Sequence, residues 1–150
     1  SANTTAGVFS GNATREAGEP THAGRLGARS VWWSWTAPAA GATQVSTLGS
    51  DYDTLLAVYT GSSLSGLTVI GSNDNAATGD TTSRVQFTAV AGQTYIIAVD
   101  GTGGATSLTV SQSVANDAFA NRTILLGDNF RIQTNNAGAS SERLTITPSR

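Results

Sequence analysis

The chain has 150 residues, 39% of them apolar and 12% charged, with a net charge of −2 and no cysteine. That length suits one domain with a tail, and so little positive charge leaves no basic surface for phosphate backbones or anionic lipid, so nucleic-acid and membrane partners are not expected. The missing cysteines exclude disulfides, thiolate nucleophiles and zinc ribbons together.

The first clear strand is "SVWWSWTAP". Alternation puts Val31, Trp33 and Trp35 on one face and Trp32, Ser34 and Thr36 on the other, and Pro38 ends the run. Trp33 and Trp35 are expected in the core, which leaves Trp32 as the indole that can show a face to a sugar ring. After it come "ATQVSTL", "TLLAVYTG", "LTVIGS", "SRVQFTAV", "QTYIIAVDG" and "TSLTVSQS", at the spacing of an all-β sandwich. In "SRVQFTAV", Val85, Phe87 and Ala89 alternate with Arg84, Gln86 and Thr88. "TLLAVYTG" and "YIIAVDG" are apolar on both faces, as central strands are. Glycine-bearing turns such as "APAAGA", "TGSSLSG", "AVAGQT" and "DGTGGAT" separate them, so the connections read as antiparallel. No segment carries a helical period, and no apolar run approaches the ~20 residues that a membrane helix needs. A soluble chain is expected, one that has shed its signal if it is secreted.

Asp51 and Asp53 in "SDYDTLL" stand two apart at a strand entrance, a spacing that would hold a hard cation or pair two carboxylates; the alternative is that Asp53 caps a turn. Tyr52 between them is a second candidate ligand platform beside Trp32. Asn73, Asp74, Asn75 and Asp80 share a polar loop in which turn chemistry competes with a cation or sugar contact. Asp100-Gly101 reads as a tight turn. His22, the sole histidine, has neither a nucleophile elbow nor an orienting carboxylate in a recognisable pattern, so loop hydrogen bonding is expected of it and no enzymatic activity of the chain.

"REAGEPTHAG", "SVWWSWTAP", "GSDYDTLLAVYTG", "SNDN" and "AGQTYIIAVDG", in that order, resemble the bacterial pre-peptidase C-terminal type of module over roughly residues 7–114. The resemblance implies an antiparallel jelly-roll-like β-sandwich, an extracellular or bacterial cell-surface location and no catalysis by the module itself. The arginine-only, Gly/Ala/Ser/Thr/Asn-rich composition is similar to that of secreted bacterial surface proteins. Some relatives bind calcium, and the related collagen-binding modules of clostridial collagenases bind calcium and collagen. By that resemblance Glu16, Glu19, Asn116 and Asp117 are the leading calcium ligands, with Asp51 and Asp53 behind them.

Members of the family usually open with an Asn-Asp-x-Phe-x-Asn segment leading to a first strand. Here that opener, "NDAFAN", begins at Asn116, while the chain starts with "SANTTAGVFSGNATREAGEP". The reading is a body at 1–115 lacking its usual first strand and a strand-bearing tail at 116–150. Three explanations stand: the start of a next module in a tandem array, a permuted strand returning to its own sheet, or a donor strand completing a neighbouring copy. Donation gives a head-to-tail filament, with Phe119, Ile124, Leu126, Phe130 and Ile132 inserted into the acceptor. The expected function is a non-catalytic building block of an extracellular assembly whose partners are copies of itself. The alternative is a calcium-dependent module that binds polysaccharide or collagen for a secreted hydrolase.

Overall fold

A computed structural model describes residues 2–113 of the chain. Eight strands run β1 (Ala2–Phe9), β2 (Val31–Thr36), β3 (Gly41–Ser46), β4 (Thr54–Thr60), β5 (Thr68–Asn73), β6 (Arg84–Ala89), β7 (Thr94–Gly101) and β8 (Ala105–Gln112), with one 3-10 turn at Leu64–Gly66. They form two four-stranded sheets, ordered β1-β8-β3-β6 and β2-β7-β4-β5, and every pairing is antiparallel. This order is that of a jelly roll, the sandwich the sequence leads one to expect.

The core is the sum of the inward faces. Val45, Val85, Ala89, Leu108 and Val110 from one sheet meet Leu56, Val58, Tyr95, Ile97 and Val99 from the other, with Val31, Trp33, Trp35 and Phe87 packed against them at the margin. Phe87 and Trp35 flank Tyr95, with ring centroids 4.8 and 5.9 Å away. Burial alternates strictly along β8, where Thr106, Leu108, Val110 and Gln112 point in. The two double-sided strands behave differently. β4 is buried at six successive residues because its outward side chains, Ala57 and Tyr59, join Ala98, Trp32, Leu67 and Ile96 in a second apolar cluster on the outside of the sheet.

β1 is the element that the hydrophobic pattern does not reveal. Ala2 to Phe9 pairs with β8 along its whole length, from Ala2↔Gln112 to Phe9↔Ala105, yet Val8 and Phe9 remain 43% and 66% exposed. Backbone ladder bonds alone define this strand, so its side chains need no alternation. The edge position beside β8, which the sequence reading left open, is therefore filled by residues 2–9. Both sheets as described are built from residues 2–112; the tail at 116–150 lies outside the described residues.

Among the described residues the two sheets approach each other closely along one side. There β5 comes against β6 so tightly that a Cβ on Gly71 would lie 2.8 Å from Val85 Cγ1. At the opposite side the edge strands β1 and β2 make no comparable approach among the described residues.

Candidate functional site

The connection from β1 to β2, residues 10–30, has no named strand; it starts at Ser10, buried beside Tyr52 and Thr106, and brings Glu19 and His22 against Trp32 and Tyr59 of the β2-β7-β4-β5 sheet. Its fixing point is Glu19, a carboxylate 6% exposed. Glu19 Oε1 accepts from Ser30 Oγ at 2.6 Å and from Trp32 Nε1 at 3.0 Å. Arg15 Nε stands 3.6 Å from Oε2, and the Arg15 guanidinium also donates to the carbonyls of Glu19 and Pro20. One buried acid thus joins loop, strand and cation. Its ionised form is compensated by hydrogen bonds and an ion pair, the condition under which a buried charge is tolerated.

His22 lies beside it, fully buried. Its Nδ1 and the Tyr59 hydroxyl share a 2.7 Å hydrogen bond whose donor depends on the imidazole tautomer. The ring meets Trp32 edge-on at 5.4 Å and Tyr59 at 5.9 Å. Burial pulls the His22 pKa below its ordinary value, against the pull of the Asp100 and Glu19 carboxylates and with that of Arg15. Burial, with Glu19 nearby, pushes the Tyr59 hydroxyl up to about 12. Both groups are therefore neutral and structural at ordinary pH. The Nε2 of His22 and the Oδ2 of Asp100 are buried without hydrogen-bond partners.

Asp100 is also fully buried, at the end of β7 and not in a tight turn. Its Oδ1 accepts from the backbone N–H of Arg29 at 2.8 Å and of Gly101 at 2.7 Å. Gly27 crosses over this carboxylate so closely that a Cβ there would fall 1.8 Å from Oδ2. The loop is fastened at its other flank by Arg25, whose Nε pairs with Asp74 Oδ2 at 3.1 Å.

Among the described residues the metal candidates do not converge. Glu16 is exposed, whereas Glu19 is committed to Ser30, Trp32 and Arg15. Asn116 and Asp117 lie outside the described residues, as do Phe119, Ile124, Leu126, Phe130 and Ile132. Asp51 and Asp53 precede β4 instead of sharing a strand face, because Tyr52 between them turns into the core against Gly101 and Gly104. Asp51 Oδ1 accepts from the Ala105 N–H at 2.8 Å, so the backbone cap expected of Asp53 is made by its neighbour. Among the described residues no group of three or more His, Asp or Glu side chains is placed to hold a metal ion.

The polar loop after β5 does turn chemistry. Asn73 Oδ1 accepts from the Arg84 N–H at 2.9 Å, and Asp80 Oδ1 accepts from the N–H and hydroxyl of Thr82, both at 2.8 Å. Those two Thr82 bonds hold the Asp80 carboxyl below its ordinary pKa.

Of the two ligand-platform candidates, Tyr52 is buried, with its hydroxyl 2.8 Å from Thr106 Oγ1 and 3.3 Å from Ser10 Oγ. Trp32 is half-buried and lines a cavity of about 200 Å³ on the outer face with Ser62, Leu64, Leu67 and Ile96. What the sequence reading missed is the Glu19–Ser30–Trp32 and His22–Tyr59 pairing. Its one local signal was the co-occurrence of Glu, His and Trp in "GEPTHAG" and "SVWWSW"; the partner Tyr59 comes from a strand far along the chain.

Residues 29–101 match the family model of the bacterial pre-peptidase C-terminal domain. No curated protein matches the chain. Among solved structures, the periplasmic inhibitor of g-type lysozyme from Aeromonas hydrophila aligns at 20% identity and a TM-score of 0.43, over 75% of this chain and 85% of that one. The Podospora anserina beta-(1,4)-mannanase aligns at 17% identity and a TM-score of 0.32, over 73% of this chain and 28% of that one. The matched segment runs from the Asp100-bound loop end through β2 to the end of β7, and over those residues the chain is similar to the bacterial pre-peptidase C-terminal domain.

Proposed function

We propose that this chain is a non-catalytic β-sandwich building block of an extracellular or cell-surface assembly, in which the tail from Asn116 completes the sheet of a neighbouring copy. The observation that carries the non-catalytic reading is the burial of His22: the sole histidine is sealed beneath the loop, held neutral and bonded to Tyr59. Glu19 and Asp100 are likewise occupied by loop and strand donors, so the acids around it fasten structure and none faces a substrate. The assembly reading draws on the side of the sandwich where β1 and β2 stay apart and on the apolar alternation of the tail.

Light scattering on the full chain and on a chain ending at Ala115 tests it. The full chain should form multimers that grow with concentration, and the shorter one should be a folded monomer, since the two sheets close on residues 2–112. A full chain that stays monomeric at high concentration would overturn the assembly. Repeating the measurement with a calcium chelator tests calcium: multimers that dissolve on chelation support an ion shared by Glu16, Asn116 and Asp117, and unchanged multimers reject it.

A second reading, a polysaccharide- or collagen-binding module, is favoured by the cavity beside Trp32. It requires the wild-type chain to be retained on an immobilised polysaccharide or collagen, and retention to fall when Leu64 is changed to Ala. No retention of the wild type rejects it.

A further inference from the structure

Among the described residues β2 is an edge strand, and both of its faces carry apolar side chains that are only half-buried. On its inner face Val31, Trp33 and Trp35 pack against the core yet stay only half-buried. The neighbouring edge strand, β1, does not close over them, and its inward-facing Val8, opposite Thr106, remains 43% exposed. On the outer face stands the cavity of Trp32, Leu64, Leu67 and Ile96. Ser34, exposed and small, pairs with Ile96 of β7, so nothing bulky stands between the free edge of β2 and that cavity. The indole of Trp32 is itself fixed, by Glu19 at Nε1 and by His22 and Tyr59 around the ring, so the wall of the cavity is rigid. An edge with open ladder positions and a pocket for alternate side chains is what strand addition uses.

We infer that the free edge of β2 is the acceptor, and that residues 123–126, "TILL", of a second copy add to it as a strand. This rests on the assembly reading above. Ile124 and Leu126 share one face of an extended chain and would cover Trp33 and Trp35; Leu125, on the other face, would pass over Ser34 into the cavity. The position where the described chain ends favours a second copy over the same chain. Gln112 Nε2 donates to Ala39 O at 2.7 Å and Ser113 N–H to Ala42 O, so Ser113 leaves beside the Thr36 end of β2. From there an extended run to Thr123 covers ten residues, roughly 33 Å, whereas β2 is about 20 Å long. A direct return would therefore lay Asn116 and Asp117 on the edge, setting a charged carboxylate against the tryptophans, and would carry the apolar run past it.

The cysteine-free chain allows a direct test. Ser34→Cys and Leu125→Cys are made as separate single variants, mixed under mild oxidation and run on a non-reducing gel, with a Thr88→Cys plus Leu125→Cys mixture as control, Thr88 being exposed on the distant edge strand β6. A disulfide heterodimer several-fold above the control is expected. A heterodimer no more abundant than the control overturns the assignment to β2. A double variant, Ser34→Cys with Leu125→Cys, that closes only within one chain overturns the second copy as the source. If neither disulfide forms while the wild type still multimerises by light scattering, the edge is wrong and the assembly reading survives; a monomeric wild type removes both.

Discussion

Glu19 binds three parts of the chain through one carboxylate. Replacing it with Ala leaves the Ser30 hydroxyl and the Trp32 indole N–H without their acceptor and Arg15 without its counter-charge. Lost bonds to a charged acceptor cost more than neutral ones, so Glu19→Ala should destabilise by roughly 3 kcal/mol, and Ser30→Ala by only about 1 kcal/mol. Urea denaturation of the two variants checks both the size and the order. His22 supplies a pH dependence of definite sign. Above its ordinary pKa of 6.5 both folded and unfolded chains hold a neutral imidazole, and this residue adds no slope. Below 6.5 the unfolded chain takes up the proton first, because burial depresses the folded pKa, so stability falls as pH drops until the folded pKa is passed. The slope in that window reaches at most about 1.4 kcal/mol per pH unit. In His22→Gln the slope between pH 6.5 and the lower value should flatten, measured as unfolding free energy against pH. The histidine's structural role was legible from the absence of any catalytic pattern around it; its burial was not, since "EPTHAG" reads locally as exposed loop.

The strands themselves are stitched together at their ends by small hydroxyl side chains. Thr47 Oγ1 lies 2.7 Å from Thr54 Oγ1 and accepts from the Ser83 N–H at 2.7 Å, while Ser83 Oγ stands 2.6 Å from the carbonyl oxygens of Thr54 and Asp74 and can donate its one proton to either. Together with the backbone bonds from Thr47 N–H to Ser83 O and from Thr54 N–H to Thr81 O, this knot fastens the end of β3, the start of β4 and the entry to β6. Thr47→Val keeps the shape and removes the acceptor, orphaning a buried N–H, and should cost about 1 to 3 kcal/mol in chemical denaturation. A Thr→Val change on the exposed face of β6, at Thr88, should fall within about 0.5 kcal/mol of the wild type. The strands from β2 to β8 were legible from their β-branched and aromatic runs between turn residues, even β5, which leaves Val69 and Ile70 57% and 41% exposed. β1 was not, because it is held by backbone bonds to β8 and leaves most of its side chains in water. Asp51 and Asp53 do not share a strand face for a related reason: spacing in sequence implies a shared face only inside a strand, and the strand starts at Thr54.

Across the molecule, the order β1-β8-β3-β6 joins the two ends of the described chain, Ala2 opposite Gln112. No hairpin can pre-form that sheet, because β1 and β8, β3 and β8, and β3 and β6 are all distant in sequence. Folding must close long loops before their contacts form, so refolding of the chain ending at Ala115 should proceed in milliseconds to seconds, not microseconds. Stopped-flow tryptophan fluorescence, reporting on Trp33 and Trp35 at the core margin, would read that rate. The sequence by itself determined the class of the protein: alternation, glycine-bearing turns and the absence of helical period leave a sandwich as the way to bury these strands. It also carried the resemblance that the match over residues 29–101 supports, because "SVWWSWTAP" and "AGQTYIIAVDG" are strands whose pattern is set by local periodicity. Tertiary structure alone decided which polar groups meet. Glu19 reaches Trp32, His22 reaches Tyr59 and Asp100 reaches Arg29 only after β2, β4 and β7 are laid side by side, and hydrogen bonds between distant strands leave no periodic mark on any one of them. It likewise decided that β5 meets β6 closely while β1 and β2, among the described residues, make no comparable approach, a matter of how two twisted sheets meet and not of any single strand's composition.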